Sequence, residues 1–171
     1  WSIAYPGQPV PGLDLLNHLP IIGPIVHEMM GRFAPDGVIN GEMYNMLGAM
    51  HGTIMVFFGI VPLGFAAFGN FVMPLQIGTI DMAFPKLNML SFWFFFLSGV
   101  LMMLSFFVGT GAVQTGWTMY SPLASTVNHG VKNIFMHGHT IWLTAMVFNI
   151  SASLLGSVNF ITTAINLRAK G

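Results

Sequence analysis

Charge is what this chain has least of. Among its 171 residues 6% are Asp, Glu, Lys or Arg and 54% are hydrophobic, whereas a water-soluble domain carries roughly 25% charged residues. That scarcity excludes an ordinary soluble globule. Net charge is zero, so the basic surface needed for nucleic-acid binding or for a polybasic lipid anchor is missing. Cysteine is absent, which removes a disulfide framework and a thiolate metal site and leaves the redox compartment open. No basic segment precedes a short apolar core at the N-terminus, so no signal peptide is expected. The chain opens on Trp1-Ser2-Ile3-Ala4-Tyr5-Pro6 without a methionine, which reads as a chain that has lost, or does not show, its beginning.

What is present is long uncharged stretches. No charge lies between Met43 and Ile80, between Leu87 and Val131, or between Asn133 and Leu167. Apolar runs of about 18 residues or more cross a hydrocarbon layer of about 30 Å, and they do so as helices because lipid offers no partner to an unpaired backbone group. The expected fold class is an all-α membrane protein: three transmembrane helices of a larger bundle, with an extramembrane N-terminal loop. The spans fall at about residues 46–71, 88–108 and 139–165, within a membrane domain of residues 44–171. Gly69-Asn70 is read as the end of the first span and Gly109-Thr110-Gly111 as the stop of the second. A polar loop follows at about 112–137.

Residues 1–43 hold four of the five acids, Asp14, Glu28, Asp36 and Glu42. They also hold Pro6, Pro9, Pro11, Pro20, Pro24 and Pro35, which forbid one long helix. An ordered loop with a short helix near residues 25–32 is expected. If this loop lies outside, the inner loops carry Lys86, Arg168 and Lys170 and the outer ones Arg32 and Lys132, in the direction of the positive-inside rule.

Ionisable residues inside a span are costly, so each is a functional candidate. His51 lies one to two turns into the outer end of the first span, where the bland alternative is a hydrogen bond to a neighbouring helix. Gly48 and Gly52 bare the helix surface beside it, and Tyr44 and Met55 fall on the same face. A histidine on a helix with a bare flank suits a heme. Asp81 lies between the first two spans; its bland reading is a solvated loop acid paired with Lys86. Asn70 is 19 residues beyond His51, about 28 Å along a helix, which brings it to the depth of Asp81. Asn88, Ser91 and Asn159 reach that depth from the other spans. Amides in apolar helices also serve as interhelical glue, but a water-filled proton entrance accounts for the carboxylate as well.

His137 and His139 are two residues apart and do not face each other on a helix; they read as boundary histidines rather than a metal site. His18, His27 and His129 form no ligand spacing. The run Phe92-Trp93-Phe94-Phe95-Phe96 reads as lipid-facing and packing surface.

In order, Tyr44-Asn45, His51-Gly52-Thr53-Ile54-Met55-Val56-Phe57-Phe58, Phe68-Gly69-Asn70, Pro74-Leu75-Gln76-Ile77-Gly78 and Asp81-Met82-Ala83-Phe84-Pro85-Lys86-Leu87-Asn88 resemble subunit I of the A-type heme–copper oxygen reductases. Thr115-Gly116-Trp117-Thr118-Met119-Tyr120-Ser121-Pro122-Leu123 and Leu154-Leu155-Gly156-Ser157-Val158-Asn159-Phe160-Ile161-Thr162-Thr163 continue the resemblance. It covers about residues 44–171. The resemblance implies that His51 is an axial ligand of a low-spin heme, heme a, with Tyr44, Met55 and Trp117 around it. It implies that Asp81 is the mouth of a proton-uptake channel lined by Asn70, Asn88, Ser91, Ser153 and Asn159. It further implies a high-spin heme and a copper whose ligands lie in later helices, and a first span not contained here. The partners it implies are the rest of subunit I, other oxidase subunits, and cytochrome c or quinol as electron donor. The setting it implies is a bacterial inner membrane. Residues 1–43 are longer than the family's usual outer loop, in the manner of oxidases associated with alternative complex III. Met89 and Ala152 replace polar residues common in the channel. A non-redox proton transporter would leave His51 and its glycines without a task, and a structural accessory subunit would leave the buried polar cluster unexplained.

Overall fold

The computed structural model describes residues 3–13, 15, 18–20, 23–108, 110–122 and 137–169. Asp14, Gly109, His129, Lys132 and Lys170, on which some of the expectations above fall, lie outside the described residues. Among these described residues three helices are long and apolar enough to cross a membrane: Gly41–Ile77, Pro85–Phe107 and Gly138–Asn166. With the short helix Gly23–Phe33 as α1, these are α2, α3 and α4. The expected all-α membrane fold is what the described residues form, and the expected short helix over 25–32 is present, slightly longer at both ends. The chain divides into two compact units: residues 1–52 with 104–141, and residues 53–103 with 142–171.

In the first unit, Asn40 starts α2. Its carboxamide oxygen accepts from the Met43 N–H at 2.8 Å, and its amide nitrogen donates to the Arg32 carbonyl at 3.2 Å. This satisfies one of the donors that a helix N-terminus leaves unpaired, and Glu42 in the first turn complements the helix dipole. Helix α2 therefore begins five residues before the expected span. Val26, Met30, Phe33, Met43, Met46, Met50, Ala112 and Val113 make the core of this unit. Met43, Met46 and Met50 repeat at helical spacing on one side of α2. The Met46 sulfur accepts from the Ala112 N–H at 3.0 Å, so the buried backbone of the loop after α3 is held by a core side chain.

In the second unit, α2 does not end at Gly69-Asn70. Gly69 is helical, and a Cβ placed there would stand 2.7 Å from the Phe160 ring of α4. The glycine permits two helices to approach and does not stop one. The stop is Gly78, left-handed at φ 74, a conformation glycine adopts without steric cost. Within α2, Met55–Ile60 and Pro62–Phe68 have the wider π-helical turn, with the Val61 N–H bonded to the Val56 carbonyl five residues back. Pro62 supplies the cause: in a regular α-helix its ring would press on the carbonyl four residues earlier, and it has no N–H to give. Helix α3 opens on Pro85, a position where the missing N–H costs nothing. Met82, Met102, Trp142, Ala145, Met146 and Ala152 form the apolar core of the second unit, together with buried Thr53, Ser98, Asn149, Asn159 and Thr163. Ser98 and Ser91 donate to the Ala145 and Ala152 carbonyls, each at 2.7 Å, and so tie α3 to α4.

Candidate functional site

In the first unit the methionine side of α2 is buried and the other side is bare. His51, Gly48, Gly52 and Tyr44 are exposed, and a Cβ built on Gly48 or Gly52 would meet nothing within 4 Å. An imidazole inside an apolar span, with no side chain crowding either glycine, leaves a flat surface at a stretch where lipid would be a poor partner for the ring. Trp117, in the tight turn Gly116–Thr118, is half-exposed. That turn rests against α2: the ideal Cβ of Gly116 would lie 3.2 Å from the Ala49 carbonyl oxygen. Met55, farther along α2 and in the second unit, is half-exposed as well.

In the second unit a cavity of about 670 Å³ opens among α2, α3 and α4. Four of the expected channel residues, Asn70, Asn88, Ser91 and Ser153, line it together. Phe57, Phe65, Phe92, Phe95 and Phe160 are the large apolar residues of the remaining wall. The Asn70 amide nitrogen is taken by the Ala66 carbonyl at 2.6 Å, while its carboxamide oxygen is buried without a partner. A buried carbonyl left unpaired is costly, and in a polar, roomy space water is its usual partner.

Asp81 and Asn159 stand elsewhere. Neither lines the cavity. Asn159 is fully buried, its carboxamide oxygen accepting from the Phe84 N–H at 2.9 Å and its nitrogen donating to the Phe84 carbonyl at 3.3 Å. The neighbouring Ala83 N–H donates to the Thr163 hydroxyl at 2.9 Å. Both groups of the amide are thus committed to backbone, and the effect is to fix the segment that follows Asp81. Asp81 is exposed, its carboxylate accepting from the Met82 N–H at 2.7 Å. Among the described residues it makes no ion pair with Lys86. Two lining residues, Asn149 and Ser157, are not among the channel residues expected from the sequence. An amide among Trp142–Phe148 and Ile150 is a visible anomaly in an apolar run, but it reads equally well as interhelical glue.

Residues 21–171 match the family described as Cytochrome C and Quinol oxidase polypeptide I. The chain belongs to this family. As an oxidase subunit I chain it is 44% identical over 137 residues to "Cytochrome c oxidase subunit 1" of Synechocystis sp., covering 80% of this chain and 23% of the relative. To "Probable cytochrome c oxidase subunit 1-alpha" of Streptomyces coelicolor it is 41% identical over 135 residues, 78% of this chain and 22% of the relative. To "Probable cytochrome c oxidase subunit 1-beta" of Nocardia farcinica it is 40% identical over 146 residues, 84% and 24% respectively. The chain thus spans about a quarter of the length of these oxidase subunits. None of the names supports an association with alternative complex III.

The family implies heme and copper in the intact subunit. The bare flank of His51 fits one axial position of a heme. Among the described residues no three of His, Cys, Asp or Glu gather as a metal site.

Proposed function

We propose that this chain is the part of a terminal respiratory oxidase, catalytic subunit I, that holds a low-spin heme through His51 and admits protons through Asp81. The observation that carries the proposal is an in-span histidine on a bare helical face in a chain of the oxidase subunit I family. The heme, when bound, accepts and passes on single electrons. His51 would hold its iron, Gly48 and Gly52 would leave the helix surface bare for it, and Tyr44, Met55 and Trp117 would be its surroundings. Asp81 exchanges protons with inner water. Asn70, Asn88, Ser91 and Ser153 hold water in the cavity they line, and Asn159 with Thr163 fixes the backbone beside the carboxylate. The rest of subunit I supplies the high-spin heme and copper at which oxygen is reduced to water, coupled to proton pumping.

The donor proposed is cytochrome c, after the names of the relatives; a quinol is the second reading, favoured by the family's own description, which spans both donors. Oxygen uptake by the intact complex should be sustained by reduced cytochrome c. Uptake sustained only by a quinol would give the second reading.

The relatives named above are bacterial, and a bacterial inner membrane is the proposed setting, with residues 1–43 outside. Trypsin added to sealed right-side-out vesicles should cut at Arg32, which is exposed at the end of α1. Cleavage from the inner face alone would reverse the topology and put Asp81 on the wrong side for uptake.

A further inference from the structure

Gly41–Ile54 of α2 is regular α-helix, so each residue turns the direction of its side chain by about 100°. On that wheel Gly52 and Gly48 lie about 60° and 100° to one side of Ala49, with His51 about 60° beyond Gly48. Met46 lies about 60° to the other side of Ala49, on the buried face with Met43 and Met50. The bare glycine strip thus runs between His51 and Ala49. The turn Gly116–Thr118 comes down on Ala49, since an ideal Cβ on Gly116 would stand 3.2 Å from its carbonyl oxygen. The loop after α3 therefore walls one edge of the strip, and Trp117 belongs to that wall.

This loop carries a backbone donor into the core. Ala112 is 4% exposed, and its N–H donates to the sulfur of Met46, itself 1% exposed, at 3.0 Å. A thioether is a weak acceptor, but a buried N–H left without any partner is costlier than a weak bond. Gly111 brings the loop down to that sulfur. Its φ is 70, and a Cβ there would stand 2.7 Å from the Phe33 ring and 3.0 Å from the Met46 sulfur. Two points, Met46 with Ala112 and Ala49 with Gly116, set where the loop lies on α2.

We propose that Met46 is a positioning residue for the site at His51: its sulfur, by holding the Ala112 N–H, fixes where the turn with Trp117 stands beside the Gly48–Gly52 strip. The proposal rests on the heme reading of His51. Packing and water access around a heme set its potential. A wall that shifts would admit water to the strip, and water favours the more highly charged, oxidised state. Loosening the wall should therefore lower the potential.

The experiment uses the intact oxidase. Amide hydrogen exchange across residues 110–118 is read by mass spectrometry, beside the midpoint potential of the low-spin heme. Met46→Leu keeps the volume of the side chain and removes the acceptor. Exchange at Ala112 should quicken by about fivefold, the factor for one net hydrogen bond, and the potential should fall. Met50→Leu is the control. Met50 is as deeply buried and, among the described residues, makes no hydrogen bond, so both readouts should keep their wild-type values. Wild-type exchange in Met46→Leu, or faster exchange with an unmoved potential, overturns the proposal. Equal shifts in Met50→Leu overturn it too, because core packing would then be the cause. His51→Ala tests the underlying reading separately: if it keeps the low-spin band, that reading fails and the role of Met46 falls with it. Should Met46→Leu fail to assemble, Met46→Gln decides, because its carboxamide oxygen can take the same N–H. Wild-type exchange at Ala112 then supports the proposal, and faster exchange overturns it.

Discussion

Asp81→Asn should slow steady-state oxygen reduction by roughly a hundredfold, the lower end of what a positioned proton-transfer group contributes, and should stop pumping while heme content stays normal. The substitution keeps the shape of the side chain and its bond from the Met82 N–H at 2.7 Å, so the segment held by Asn159 and Thr163 has no reason to move. What it removes is the charge and the ability to take a proton from inner water. The competing description is a solvated loop acid. It predicts a negligible loss, because an exposed ion pair is worth about 0–1 kcal/mol, and among the described residues no pair with Lys86 is formed. Turnover measured with proton release in reconstituted vesicles separates the two. Wild-type values for both would mean that protons enter through helices outside this chain.

Much of this arrangement can be read from residue order, because lipid permits few solutions. Uncharged stretches of span length have to be helices, and the three helices lie where the stretches lie. Their ends are less legible, and each difference has a local cause. The start of α2 at Gly41 follows from the Asn40 cap, a signal set among residues whose prolines and glycines suggest only loop. The end at Gly78 was hidden because Gly69-Asn70 looks like a stop, although Gly69 serves the approach of Phe160. The π-helical stretch is invisible in hydropathy; Pro62 is its one trace, and a proline alone does not tell a kink from a widened turn.

The site divides in the same way. Residue type and depth gathered Asn70, Asn88 and Ser91, to which the family resemblance added Ser153, around one cavity, since depth along a span follows from residue count. Depth does not give the direction of a side chain. Asn159 shares the level but turns to the Phe84 backbone, and Asn149 turns to the cavity. Period and composition are the same for both amides. Only the partner helix distinguishes them.

If His51 holds a heme iron, the reduced-minus-oxidised visible spectrum of the complex reports it. Replacing His51 by alanine removes the imidazole from this face of α2. Gly48 and Gly52 carry no side chain, Tyr44 is a full two turns away along α2, and the buried methionines lie on the other side of the helix. Axial ligation sets the spin state and the absorption of a heme, so loss of one ligand is an all-or-none event for the band. The wild-type complex should show a low-spin heme band, and His51→Ala, purified with its other subunits in place, should lose it. An assembled His51→Ala complex with the wild-type spectrum would contradict the account.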